Sequence, residues 1–139
     1  MRFVSTLVAI AVTFFASIPG MTHQMRKYPI MVGGDAEIDA CDTRAEVQPL
    51  NPKGDGYLSV RIGPMVTAKE LARIISGHSV IVCNVSNDGK WASIVYQSSP
   101  KGDVGDCGLS SPDMRERHPY DGPCQSGWVA MRYLWLAAG

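Results

Sequence analysis

Val80-Ile81-Val82-Cys83, then Asn87-Asp88-Gly89, then Lys90-Trp91-Ala92-Ser93-Ile94-Val95-Tyr96 is the stretch that decides the fold. Its two flanks are rich in β-branched and aromatic residues, which fit a pleated surface. Between them, Asp-Gly readily adopts the positive φ that a tight hairpin turn requires. The stretch reads as two antiparallel strands and their turn.

Working outward, Tyr57-Leu58-Ser59-Val60-Arg61-Ile62 alternates large apolar with polar residues and stops at Gly63-Pro64, as a strand does. Thr67–Ile75 is the one helical candidate, with Thr67 as cap and Glu70 completing a capping box; its length allows one or two turns. Gly127–Leu136 reads as a last strand, or as a short turn plus strand. Met25 to about Lys53 is tail-like, with turn chemistry at Gly33-Gly34-Asp35 and across Pro49–Gly56. Residues 97–123 form a long polar connection, which is unusual inside a compact domain unless something pinches it. Short strands separated by turns place the chain in the all-β class, as a small barrel.

The chain has 139 residues, enough for one ordinary domain and too few for two independent cores. Lys plus Arg and Asp plus Glu total 13 each, a balance that argues against a nucleic-acid binder or a polybasic membrane-surface protein. All three Phe (Phe3, Phe14, Phe15) lie at the front. There Arg2, the uncharged apolar run Val4–Ile18 and Pro19-Gly20 have the layout of a secretory signal peptide, so residues 1–24 are read as a discarded segment. The run falls short of the roughly 20 apolar residues of a spanning helix, so no stable membrane insertion is expected after processing. Loss of the segment leaves 12 basic against 13 acidic residues in a Phe-free body. The expected location is periplasmic or secreted.

Four cysteines, Cys41, Cys83, Cys107 and Cys124, follow this segment. An even count in a small exported chain reads as two disulfides, and the sequence does not choose among the three pairings. In one of them Cys107–Cys124 closes the polar connection into a lobe and Cys41–Cys83 tethers the tail. No C-x-x-C pair exists and no histidine sits at ligand spacing from a cysteine, so neither metal nor cofactor is expected. Paired cysteines also remove the free thiol a Cys–His hydrolase needs. Ser110-Ser111 lacks the context of a nucleophile elbow, and no two carboxylates are marked as an acid–base pair. His78, after the Gly77 turn, is expected to be an exposed polar residue, and His118 lies in the long connection.

Taken in order, Tyr57–Arg61 with Gly63-Pro64, the Gly77–Tyr96 hairpin with Asp88-Gly89 and Trp91, and Gly127-Trp128-Val129 with Tyr133-Leu134 resemble the bacterial SH3-like domain family. The resemblance covers roughly residues 55–96 and 125–136. It departs where many members carry an aromatic after Gly-Pro and this chain has Val66-Thr67-Ala68, and again in the Cys107–Cys124 insertion. It implies an SH3-like barrel of about five strands over 54–139, with an insertion at 97–124 and a tail at 25–53 tethered by Cys41. It also implies a non-catalytic binding module whose partner is a cell-wall glycan or peptide, or another envelope protein. Candidate ligand-binding residues are Tyr57, Trp91, Tyr96, Tyr120, Trp128 and Tyr133, since each has an apolar ring with a polar tip. The competing reading of each is structural, with Trp91 and Trp128 in the barrel core. Two other roles are a structural or inhibitor-like protein acting through the 107–124 lobe and, more distantly, a small Cys–His wall hydrolase.

Overall fold

The computed structural model describes residues 27–39, 41 and 43–137, so the signal segment expected at 1–24 lies outside the described residues. The chain is all-β, with strands β1 (Met31–Val32), β2 (Asp35–Asp39), β3 (Thr43–Val47), β4 (Leu58–Arg61), β5 (Glu70–Ile74), β6 (Ser79–Val85), β7 (Trp91–Tyr96), β8 (Pro112–Asp113), β9 (His118–Pro119), β10 (Gln125–Ala130) and β11 (Leu134–Leu136). Seven of them form one antiparallel sheet in the order β11-β3-β6-β7-β10-β4-β5, two more than the about five expected. Among the described residues, no helix is long and apolar enough to cross a membrane.

The hairpin at the centre follows its turn chemistry. Gly89 has φ 71°, its N–H donates to the Ser86 carbonyl, and the Asp88 carboxylate accepts from the Ser86 hydroxyl and the Lys90 N–H. β6 and β7 then pair from Val80↔Tyr96 to Val85↔Ala92, with one register shift between Val82 and Asn84.

Side chains on one sheet face form the main core. Val60, Val80, Ala92, Ile94 and Val129 are fully buried there (0% exposed), and all seven strands contribute to the cluster. Among the described residues, only Leu50, Met131 and Tyr133 join it from outside the strands. Strands from the whole width of the sheet share this one cluster, with β11 and β5 at the two ends of the strand order. Gly127 marks a close approach between β10 and β4. A Cβ there would stand 2.4 Å from Val60 Cγ1 and 3.0 Å from the Arg61 carbonyl oxygen.

The other face of the central strands is buried as well. Ile81, Val95 and Trp128 pack against Ile30, Val32 and Cys41 from the N-terminal side and against Val104, Cys107 and Leu109 from the long connection. These two covering segments are laced together, because β1 pairs with β9, β2 pairs with β8, and the Tyr120 N–H donates to the Ile30 carbonyl at 2.7 Å. Both disulfides sit in this smaller cluster. Cys41–Cys83 ties the N-terminal segment to β6, and Cys107–Cys124 closes the lobe. Their sequence separations of 42 and 17 correspond to about 4 and about 3 kcal/mol of chain-entropy stabilisation. That is comparable to fully burying one or two large apolar side chains each, so the staples matter most where apolar area is scarce.

Three expectations are corrected. Residues 25–53 are more than a tail held by Cys41, since Thr43–Val47 is an inner strand paired with both β6 and β11. Ala45 and Val47 point into the main core. The helix expected over Thr67–Ile75 is absent, because Glu70–Ile74 pairs with β4 and Ile74 enters the core. A helix that short is marginal, and edge pairing with burial of Ile74 outweighs its local cap. The Glu70 carboxylate accepts instead from the Ser59 hydroxyl (2.5 Å) and from Arg73 Nε (2.7 Å). His78 is buried rather than exposed, edge-on to Tyr96 with ring centroids 5.5 Å apart, and its Nε2 lies 2.8 Å from the Gln97 carbonyl oxygen.

Candidate functional site

At one end of the sheet the 50–57 loop, the start of β7 and the turn after β10 enclose a groove of about 410 Å³. Tyr57, Trp91 and Tyr133 line it, three of the six aromatic candidates, drawn from three separate parts of the chain. A second cavity of about 470 Å³ adjoins it, with Val66, Trp91, Ala130 and Arg132 lining both.

Each wall has a local cause. The Gly89 turn brings the chain back so that Trp91 opens β7 opposite Ala130, and the Met131 N–H donates to the Lys90 carbonyl at 2.9 Å. The short 3-10 turn Met131–Tyr133 then swings Arg132 and Tyr133 into the groove. Gln48 holds that turn from behind. Its side-chain amide donates to the carbonyls of Arg132 (3.0 Å) and Leu134 (3.2 Å), and its backbone N–H donates to Tyr133 (2.9 Å). Arg61 donates to the Ala68 carbonyl at 2.9 Å, fixing the loop that presents Val66. Val66 is 74% exposed, and it stands just after Gly-Pro, where the resemblance led to an aromatic.

Arginines flank the phenol rings. Arg132 lies 4.8 Å from the Tyr133 ring centroid and donates to its hydroxyl at 3.0 Å, while Arg73 lies 4.1 Å from the Tyr57 centroid. The Ser59 hydroxyl and then Arg73 hold the Glu70 carboxyl below its ordinary range, so Glu70 stays ionised and offsets the charge of Arg73. Arg61, Lys90 and Arg132 differ: among the described residues none of the three takes part in a salt bridge. The groove is aromatic, partly apolar and cationic.

The other three candidates lie elsewhere. Tyr96 is 4% exposed and belongs to the main core. Trp128 is 9% exposed beneath the N-terminal segment, with its indole N–H donating to the Tyr28 carbonyl at 3.0 Å. Both follow from strand parity, since the opposite face of the sheet is covered too. Tyr120 stands inside the lobe, where its hydroxyl donates to the Cys107 carbonyl (2.8 Å) and accepts from the Cys124 N–H (3.1 Å). It bridges the two ends of that disulfide loop, and burial pushes its phenol up from the ordinary value.

Sequence reasoning missed Arg61, Val66 and Arg132, which carry no motif of their own. It also missed Trp135, 56% exposed on β11, which lines a separate cavity of about 470 Å³ against Asp103 and Val104 of the long connection. The four cysteines are all paired, as expected, and the pairing is now settled. No group of three or more His, Cys, Asp and Glu able to hold a metal ion occurs among the described residues.

Comparison with protein-family models, with curated proteins and with solved structures finds no match for this chain.

Proposed function

We propose that this chain is an exported, non-catalytic binding module with an SH3-like barrel, and that its groove recognises a component of the cell envelope. The observation that carries the reading is the convergence of Tyr57, Trp91 and Tyr133 on one groove, although they lie far apart in the chain. Aromatic-lined grooves of this kind take extended ligands by stacking and by contact with the phenol and indole edges. Two disulfides, which form and persist in oxidising compartments, support export. With every cysteine sulfur in a disulfide, no thiolate nucleophile is at hand for a Cys–His hydrolase. The lobe uses Cys107 and Leu109 to cover the sheet, which favours the groove over the lobe as the binding surface.

The test is retention of the oxidised protein on purified peptidoglycan and, separately, on immobilised envelope proteins. A Trp91→Ala, Tyr133→Ala double variant is expected to lose retention on whichever matrix holds the native protein. Unchanged retention of the double variant on both matrices refutes the reading.

A further inference from the structure

Building on that groove reading, we propose that the ligand is an extended acidic peptide segment in which a carboxylate side chain neighbours an aliphatic one. The chain as a whole is electrically balanced, with 13 basic and 13 acidic residues. The groove is not. Its walls carry Arg61, Arg132 and Lys90 against the single carboxylate of Asp55. The other arginine beside it, Arg73, is already matched by Glu70 at 2.7 Å. None of the three groove cations forms a salt bridge among the described residues. Arg61 and Lys90 still sit in the fields of the Glu70 and Asp88 carboxylates, which leaves Arg132 as the cation most directly offered to whatever enters.

Arg132 is the best placed of them. It belongs to both compartments, the Gln48 amide fixes its backbone, and the Tyr133 hydroxyl orients its guanidinium. A guanidinium held in this way offers a planar fork that matches a carboxylate. The compartment beyond it has a different chemistry, walled by Val66, Ala130, Met131 and the Trp91 indole, with no carboxylate lining it. A hydroxyl-covered sugar ring finds few acceptors there, whereas an aliphatic side chain finds apolar walls. The pairing of an apolar compartment with a cationic one across a shared indole selects a peptide bearing both groups over an acidic glycan. Gln48 holds the 131–133 turn and Arg61 holds the loop that presents Val66, which reduces the ordering cost that falls on these walls.

The experiment uses the full exported, oxidised chain and an array of extended peptides carrying Asp-Leu or Glu-Leu pairs. Matched Asn-Leu, Gln-Leu and Lys-Leu peptides and immobilised polygalacturonate serve as the other arms. The Asp-Leu and Glu-Leu peptides are expected to bind about tenfold or more tightly than their amide counterparts, and this preference is expected to fall as salt is raised. Arg132→Gln is expected to remove that preference while leaving the thermal melt intact, since Arg132 is exposed. Trp91→Phe, which keeps an aromatic ring, is expected to retain most binding, and Trp91→Ala to lose it. Trp135→Ala, in the separate cavity, is expected to bind as the native chain does. Equal binding of acidic and amide peptides that still depends on Trp91 overturns the acidic ligand and leaves the groove reading standing. Stronger binding of polygalacturonate overturns the peptide in the same way. Binding that ignores Trp91 and depends on Trp135 overturns both.

Discussion

Replacing Gly127 by Ala adds one methyl group at a place where the main core has no room. The new Cβ would stand 2.4 Å from Val60 Cγ1, against an ordinary carbon–carbon contact of about 3.5–4.0 Å, so the two groups must part by about 1 Å. Val60 is fully buried and stiff at χ1, and the Arg61 carbonyl oxygen at 3.0 Å belongs to the paired backbone of β4. Neither yields easily, and overpacking of this kind costs about 1–3 kcal/mol. Opposing it, Gly→Ala restricts the unfolded chain and contributes about 0.4–1 kcal/mol of stability, because Gly127 is not among the glycines with positive φ. The net expectation is a loss of about 1–2 kcal/mol, which for a domain of this size lowers Tm by roughly 4–8 °C. Thermal melts followed by far-UV circular dichroism measure it. A double-mutant cycle then isolates the contact: in a Val60→Ala background the clashing methyl is gone, and Gly127→Ala is expected to cost less by about 1 kcal/mol. An equal cost in both backgrounds, or a Gly127→Ala protein as stable as the native one, refutes the close approach of β10 to Val60 as the reason for glycine here.

The two disulfides and the lobe carry further expectations. Replacing both Cys107 and Cys124 by Ala is expected to remove about 3 kcal/mol, for a sequence separation of 17, while the seven-stranded sheet persists. Loosening of the lobe also wets Trp128, so a red shift in its emission at temperatures below the main melt is expected; a melt and emission matching the native protein would refute the role given to this staple. The Arg115 guanidinium, bonded to both Asp113 and Asp121, holds both carboxyls below the ordinary aspartate range. Depressed carboxylates stabilise the folded lobe above the ordinary aspartate value, and that contribution is lost as pH falls through the depressed values. Arg115→Gln is therefore expected to move the two midpoints upward in a carboxyl NMR titration and to flatten the acid dependence of stability; unmoved midpoints count against the pairing.

How much of this was legible varied with how local the cause was. The β6–β7 hairpin was readable because Asp88-Gly89 and its β-branched flanks act within a few residues of one another. Over Gly127–Leu136 the sequence left a single strand or a turn plus strand open, and the structure shows two strands, β10 and β11, with the Met131–Tyr133 turn between them. β5 was misread because a capping box is a local signal, while the competing β4 ladder is read only once β4 lies alongside. β3 was passed over because Thr-Arg-Ala-Glu-Val has modest apolar content, and its partners β6 and β11 lie some 36 and 90 residues further on. Tyr57, Trp91 and Tyr133 were found by residue type, but their assembly depends on Gln48 holding the 131–133 turn.

Composition and alternation by themselves determined that the chain is all-β and that its cysteines pair. They did not determine which aromatic residues are buried, because alternation separates the two faces of a strand without naming what covers either. Tertiary structure decided that. The N-terminal segment and the disulfide-closed lobe meet through β1–β9 and bury Ile81, Val95 and Trp128 on the second face, while the shared cluster of all seven strands buries Tyr96 on the first. Trp91, at the start of β7, packs partly against the second-face cluster and is left half-buried as the wall of a groove.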